Sequence, residues 1–366
     1  MTRLLPRAMV ALALQVALTS VLTAPFAAPA HARPEKPPRP RAEPVFTYDQ
    51  SPAAMAFAAD VAERRQLDPA WVRAQIGAAR RVPAITRAVL PPPPGQPKNW
   101  AAYRARFIEP VRLAAGERFW RDNEAALARA EATYGVPASL IVGVIGVESL
   151  YGRHQGTHRV IDALATLAFD FPAAHPRATA RTAFFRDELE QFLSLMQRAG
   201  DDPLAVRGSY AGAMGWPQFM PSSWVRHAVD FDGDGRIDLF NSPADAIGSV
   251  AHYFQNFGWQ PGLPTHHPVR FDETRLDLES LLAPDILPTF DVAGFTARGA
   301  VLDDAGLRHT GKLALVKVEN GDAPPSFVAG TENFYVVTRY NWSSYYALAV
   351  IELGEAVQAR LKINTK

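Results

Sequence analysis

Cysteine is absent from the 366-residue chain. That excludes a disulfide framework, a thiolate metal site, a Cys nucleophile and a lipidated N-terminal Cys. An excess of one charge is also missing. Lys and Arg number 38 against 37 Asp and Glu, so the global basic charge of a nucleic-acid binder is not there. Long apolar runs are scarce. The densest, Ala8 to Leu22, is 15 residues, short of the roughly 20 that span a bilayer. Hydrophobic residues make up 48% and charged residues 20%, which excludes wholesale disorder and collagen-like repeats. The length fits two or three domains. Proline, by contrast, is plentiful at 31.

Arg3 and Arg7 are the only charges before Arg33, and the apolar run ends in Ala30-His31-Ala32. A basic start, a short apolar middle and an A-x-A end read as a secretory signal peptide over 1–32. An uncleaved membrane anchor is the other reading. The Pro- and Arg-rich stretch 33–45 reads as a stiff, solvated tether.

Helical spacing follows from Ser51 to Leu90, with breaks expected at Pro69 and Pro83, and Pro91 to Pro94 read as a polyproline linker. One long helix is expected from about Ala114 to Tyr134, with Phe119, Leu127, Ala130 and Tyr134 on one stripe. The next, Leu140 to Val147, is apolar all round and reads as a buried core helix. Further helices are expected from Arg177 to Ala199, from Ser242-Pro243 to Phe257, and from Ser344 to about Leu361. Lys312 to Val318 and Phe334 to Tyr340 have strand-like composition and suggest a small β subdomain.

Glu148 is the residue that stands out. It follows eight apolar residues and precedes Leu150-Tyr151. Desolvation there raises a carboxyl pKa, and an acid still protonated near neutrality can protonate a glycosidic oxygen. The competing reading is a structural ion pair with Arg153 or Arg159. The second informative segment runs from Gly208 to Trp224. Gly212, Gly215, Pro217 and Pro221 punctuate it, with Tyr, Trp, Phe and Met interleaved. It reads as an irregular loop displaying aromatics and the Gln218 amide, suited to sugar rings, or else as a hydrophobic loop packed into core.

These segments, in order, resemble the lytic murein transglycosylase B family (glycoside hydrolase family 103). The resemblance is carried by Gly146-Val-Glu-Ser-Leu-Tyr-Gly-Arg153, Arg159 to Ala168, Phe185 to Phe192, the Gly208 to Trp224 loop, Asn241 to Val250 and Asn333 to Asn341. It covers about Tyr103 to the C-terminus. It implies cleavage of the β-1,4 bond between N-acetylmuramic acid and N-acetylglucosamine of peptidoglycan, leaving a 1,6-anhydro-muramyl end. It also implies a mainly α (α+β) fold, with a lysozyme-like core inside a larger helical chain. Glu148 matches the family's single acid/base. Tyr103, Ser209, Gln218, Phe219, Tyr253, Tyr340, Asn341 and Tyr346 match its binding groove, and for Tyr253, Tyr340 and Tyr346 a plain core role stays open. Ordinary glycosidases use two carboxylates. Near Glu148 only Asp162 and Asp170 offer a second, and a tethered C6 hydroxyl makes one unnecessary.

Asp230-Phe-Asp-Gly-Asp-Gly-Arg-Ile-Asp238 matches the first nine positions of an EF-hand loop, but position 12 is Asn241 instead of Glu. The resemblance implies a lengthened loop, with a cation on Asp230, Asp232, Asp234, the Arg236 carbonyl and Asp245. A structural Ca2+ or Na+ is expected there, and no cofactor for catalysis. An Asx-rich turn without an ion is the alternative.

The expected organisation is a helical segment over 46–110, the lysozyme-like core over 111–260 with its acidic loop at 230–245, and a β subdomain plus final helix over 261–366. Expected partners are peptidoglycan glycan strands and, as a second class, cell-wall synthesis complexes, with the enzyme a monomer. A periplasmic location, reached without lipidation, follows from the signal peptide and the family. A water-using muramidase and a non-catalytic peptidoglycan-binding scaffold are the rival functions. A Ca2+ sensor is disfavoured by a single imperfect loop.

Overall fold

The computed structural model describes residues 45–91, 95 and 98–364. The signal peptide, nearly all of the tether and most of the polyproline linker lie outside the described residues. Three short helices come first, α1 (Pro52–Arg65), α2 (Pro69–Ala78) and α3 (Pro83–Ala88). Each starts on a proline whose fixed φ suits the first helical position. Ser51 and Asp68 cap the first two by accepting backbone N–H bonds.

After α4 (Trp100–Ala105) come α5 (Pro110–Asp122) and α6 (Glu124–Tyr134). The single helix expected over 114–134 is therefore two. The break is at Asn123, whose side-chain amide donates to the Phe119 carbonyl at 2.9 Å and competes with the helix ladder. Next stand α7 (Ala138–Ser149), β1 (His158–Arg159), α8 (Val160–Phe169), α9 (Ala178–Ala199), β2 (Arg207–Gly208), α10 (Pro221–His227) and α11 (Pro243–Asn256). Phe185, Leu189, Phe192, Leu193 and Met196 of α9 all point into the core, as their spacing requires. Ser242 caps α11 and Pro243 opens it.

The last third holds β3 (His266–Phe271), α12 (Leu278–Leu282), α13 (Val292–Ala297), β4 (Ala300–Leu302), α14 (Asp304–Leu307), β5 (Ala314–Asn320), β6 (Ala323–Gly330), α15 (Glu332–Thr338) and α16 (Ser344–Asn364). The sheet is antiparallel throughout, ordered β4-β3-β6-β5. It packs on its own small core of Leu281, Phe295, Leu302, Leu313, Leu315 and Ala329. Residues 334–340, expected as a strand, lie mostly in α15 instead. Thr331 caps that helix by accepting the Asn333 N–H, and Phe334, Val336 and Val337 are buried by it. Burial and capping outweigh the modest β preference of Val, Tyr and Phe.

The main core runs from Tyr48 to Val357 through all three stretches of chain. At its centre α7 and α16 cross closely. A Cβ added to Gly143 would collide with the Val350 carbonyl oxygen, and one added to Gly354 with the Ser139 carbonyl oxygen. Only glycine lets these two helices touch backbone to backbone. No single helix among the described residues is long and apolar enough to cross a membrane.

Candidate active site

Glu148 stands in the last turn of α7, and the chain turns sharply just after it. Leu150, Tyr151 and Gly152 adopt φ of 50°, 56° and 81° in succession. Left-handed backbone at two non-glycine residues is costly and persists only where surroundings enforce it. Here the Ser149 hydroxyl accepts the Gly152 N–H at 3.0 Å, and the Tyr151 ring stacks on Phe119 at 5.2 Å. The Arg112 guanidinium caps the same helix end, donating to the Gly146 carbonyl at 3.1 Å.

The turn leaves the Glu148 carboxyl half-buried with one side-chain hydrogen bond, accepted by Oε1 from the Tyr346 hydroxyl at 2.6 Å. Among the described residues no arginine pairs with it. Arg153 is exposed, and Arg159 lies 3.4 Å from Asp162. Burial pushes the Glu148 pKa from 4.5 up to about 7, opposed in part by the Tyr346 hydrogen bond. A position at a helix C-terminus also disfavours negative charge.

Four sequence-predicted tyrosines gather around this acid. Tyr346 stacks on Tyr340 with centroids 6.1 Å apart and planes 15° off parallel. Tyr340 donates its hydroxyl to the Pro217 carbonyl at 2.5 Å and packs against Tyr253 at 4.8 Å and Phe219 at 5.9 Å. Tyr253 donates to the Arg339 carbonyl at 2.8 Å. Tyr103 packs among Trp100, Phe107 and Tyr345. Burial raises all four hydroxyl pKa values, and the Glu148 charge adds to each.

The 208–224 loop displays only Tyr210, 45% exposed, of the aromatics expected to face solvent. Met214, Phe219 and Trp224 are buried, and Trp216 packs over Gly152 while donating its indole N–H to the Phe240 carbonyl at 2.7 Å. The apolar side chains that suggested a sugar platform serve mainly to anchor the loop. Ser209 and Gln218 are half-buried. The Ser209 hydroxyl accepts the Ala211 and Ala213 N–H groups at 3.2 and 3.0 Å. Gln218, at φ 49°, donates its side-chain amide to the Gly215 carbonyl at 2.8 Å and the Gln155 carbonyl at 3.2 Å. Asn341 is exposed in the turn between α15 and α16.

Gln155 and Arg112 escaped the sequence reading. Gln155 ties the segment after Glu148 to the Phe240 carbonyl at 3.1 Å and, through its own carbonyl, to Gln218. Nothing in the local sequence marks either residue, since both act through backbone groups of distant segments. The two candidate second carboxylates are held elsewhere. Asp162 accepts the Arg80 N–H at 2.8 Å, and Asp170 accepts the Tyr48 hydroxyl at 2.5 Å and lies 3.2 Å from Arg81. Both pin the N-terminal helices to α8.

In the acidic loop, carboxylate oxygens of Asp230, Asp232 and Asp245 lie within 4.8 Å of one another. Asp245 is buried and accepts the N–H groups of Phe231 and Asp238 at 2.7 and 2.8 Å. Burial and, to a lesser degree, the Asp232 charge raise its pKa. Ser242 bridges cap and loop, accepting the Asp245 N–H and donating to Asp232. Asp234 is outside that trio and accepts the Arg236 N–H at 2.8 Å. Three converging carboxylates, one of them buried, fit a hard cation.

Comparison with known proteins shows the family. The family described as "Transglycosylase SLT domain" matches residues 49–355. The chain is 36% identical over 331 residues to the membrane-bound lytic murein transglycosylase B of Escherichia coli K12, covering 85% of this chain and 84% of the relative. The crystal structure of soluble lytic transglycosylase SltB1 from Pseudomonas aeruginosa superposes with a TM-score of 0.76 at 40% identity, covering 84% of this chain and 99% of that one. The Escherichia coli lytic transglycosylase Slt35 in complex with calcium gives 0.73 at 36% identity, covering 86% and 95%. The protein thus belongs to the SLT-domain lytic transglycosylases, enzymes of lysozyme-like fold that act on peptidoglycan.

Proposed function

We propose that Glu148 is the only acid/base of this enzyme. Protonated, it gives its proton to the β-1,4 oxygen between N-acetylmuramic acid and N-acetylglucosamine, and the C1–O bond breaks. The C6 hydroxyl of the same muramic residue then attacks C1 and returns its proton to the Glu148 carboxylate. The product is a 1,6-anhydro-muramyl end. The attacking group is tethered, so no activated water is needed. The observation that carries this reading is the half-buried Glu148 carboxyl, which has no ion pair and whose pKa is pushed up to about 7, while Asp162 and Asp170 are occupied by structural bonds.

Tyr103, Ser209, Gln218 and Asn341 are assigned to the glycan groove. Buried Phe219, Tyr253 and Tyr346, with half-buried Tyr340, form the wall that fixes the acid. Residues 111–260 are assigned as the catalytic core, 46–110 as a helical brace and 261–366 as the part that completes the groove. A structural Ca2+ is assigned to Asp230, Asp232 and Asp245, with Asp234 and the Arg236 carbonyl completing the shell. The 1–32 export pattern together with the family supports a periplasmic enzyme working on glycan strands, and we take it to be a monomer.

Mass spectrometry of muropeptides released from purified sacculi tests the reaction. Wild-type protein is expected to release anhydro-muropeptides and Glu148→Gln none. Reducing-end products would make the enzyme a hydrolase. Binding of sacculi without release by either protein would leave a scaffold.

A further inference from the structure

We propose that Trp342 is an outer sugar platform, stacking on an N-acetylhexosamine ring of the strand beyond the pair that flanks the scissile bond. The inference rests on the glycan-cleaving reading above and adds a specificity residue to it.

A sugar needs an open aromatic face; Tyr103 and Tyr340 near Glu148 are half-buried, and the other rings there are closed. Tyr346, Tyr253 and Phe219 are 2%, 6% and 2% exposed. Trp342 is 58% exposed, more than any other large aromatic among the described residues. It is joined to the acid by a run of packed rings and one bridging guanidinium. Tyr346 stacks on Tyr340, Tyr340 packs against Tyr253, and Tyr253 packs on Phe257 at 4.5 Å. The Arg339 guanidinium lies 5.6 Å from the Phe257 centroid and 4.9 Å from the Trp342 centroid. In sequence, Trp342 sits two residues past Tyr340 and adjoins exposed Asn341.

The indole is also held. Arg339 packs over it by a cation–π contact, and Tyr335 meets it edge-on at 6.0 Å and 82°. Tyr335 is in turn covered by the same guanidinium at 5.7 Å. A ring already fixed loses little entropy when a ligand stacks on it. An exposed tryptophan clamped in place has no folding task that needs its open surface.

The test compares binding of peptide-free glycans of two and four disaccharide units in the inert Glu148→Gln background. The readout is the ratio of the two Kd values, which a general loss of fold does not move selectively. Trp342→Ala is expected to shrink the preference for the longer glycan about 3- to 10-fold, the weight of one aromatic contact. Trp342→Phe should recover most of it. An unchanged ratio, or a Phe variant no better than Ala, overturns the proposal. If Glu148→Gln still releases anhydro products, the acid/base assignment fails instead, whatever the ratio shows.

Discussion

The Tyr346 hydroxyl donates a 2.6 Å hydrogen bond to Glu148 across 198 positions of sequence. The two residues ride on α16 and α7, the helices that touch through Gly354 and Gly143. Glu148 and its donor are thus positioned by a helix crossing in which backbone meets backbone.

Removing the donor should act on the acid's protonation. A hydrogen bond to the charged carboxylate lowers its pKa, so Tyr346→Phe should raise the Glu148 pKa further above about 7. The alkaline limb of kcat is expected to move to higher pH, with kcat falling about tenfold through lost positioning. A pH–rate profile that keeps its alkaline limb in place would contradict this coupling.

The raised pKa also has a sign in stability. Folding lifts Glu148 from 4.5 to about 7, so the native state favours the proton. Its stabilising contribution is fully present below pH 4.5 and is lost as pH rises through about 7. Glu148→Gln should therefore be more stable than wild type at pH 8.5 by up to about 3 kcal/mol and nearly equal at pH 4. Urea unfolding at the two pH values measures the difference.

The helix crossing leaves no room for a methyl group. Gly143→Ala should destabilise the fold by about 3 kcal/mol, because backbone and not a yielding side chain stands in the way. Activity should fall further than stability predicts, since α16 carries Tyr346 away from Glu148. Thermal unfolding together with kcat on sacculi at 20 °C separates the two effects.

Asp170 offers the discriminating control for a single-acid reaction. Asp170→Asn weakens the bonds to Tyr48 and Arg81 and should cost about 1–2 kcal/mol of stability. The proportion of anhydro ends should stay as in wild type. A fall of 100-fold or more in turnover by a folded variant would make Asp170 a second catalytic carboxylate.

A Ca2+ bound by Asp230, Asp232 and Asp245 would relieve repulsion among them. With a site of millimolar class, 10 mM Ca2+ should add about 1.4 kcal/mol to stability. Asp245→Ala should abolish the Ca2+-dependent increment in Tm. An equal rise in the variant would place the ion elsewhere.

Much of this was legible in local sequence. Proline and serine punctuation located α1–α3 and α11, because fixed φ and caps are properties of the residues themselves. The apolar run before Glu148 marked both a core helix and an unusual acid. The acidic spacing marked the loop in which three carboxylates converge. Where the sequence misled, a local side-chain bond had outweighed the pattern: Asn123 broke a helix that periodicity joined, and the Thr331 cap, helped by the burial of Phe334, overrode a strand preference.

Sequence alone marked Glu148 as an unusual acid after an apolar run, and left open whether an arginine pairs with it. The fold decided the direction of its pKa, by burying the carboxyl and pairing Arg159 with Asp162 instead. Tertiary structure alone decided what stands beside it. Tyr346 faces Glu148, Asp170 is tied to Tyr48, Phe219 is buried and Trp342 is open, since each contact joins segments far apart in the chain. Spacing encodes the face a residue shares with its near neighbours. It does not encode which distant backbone will be packed against that face.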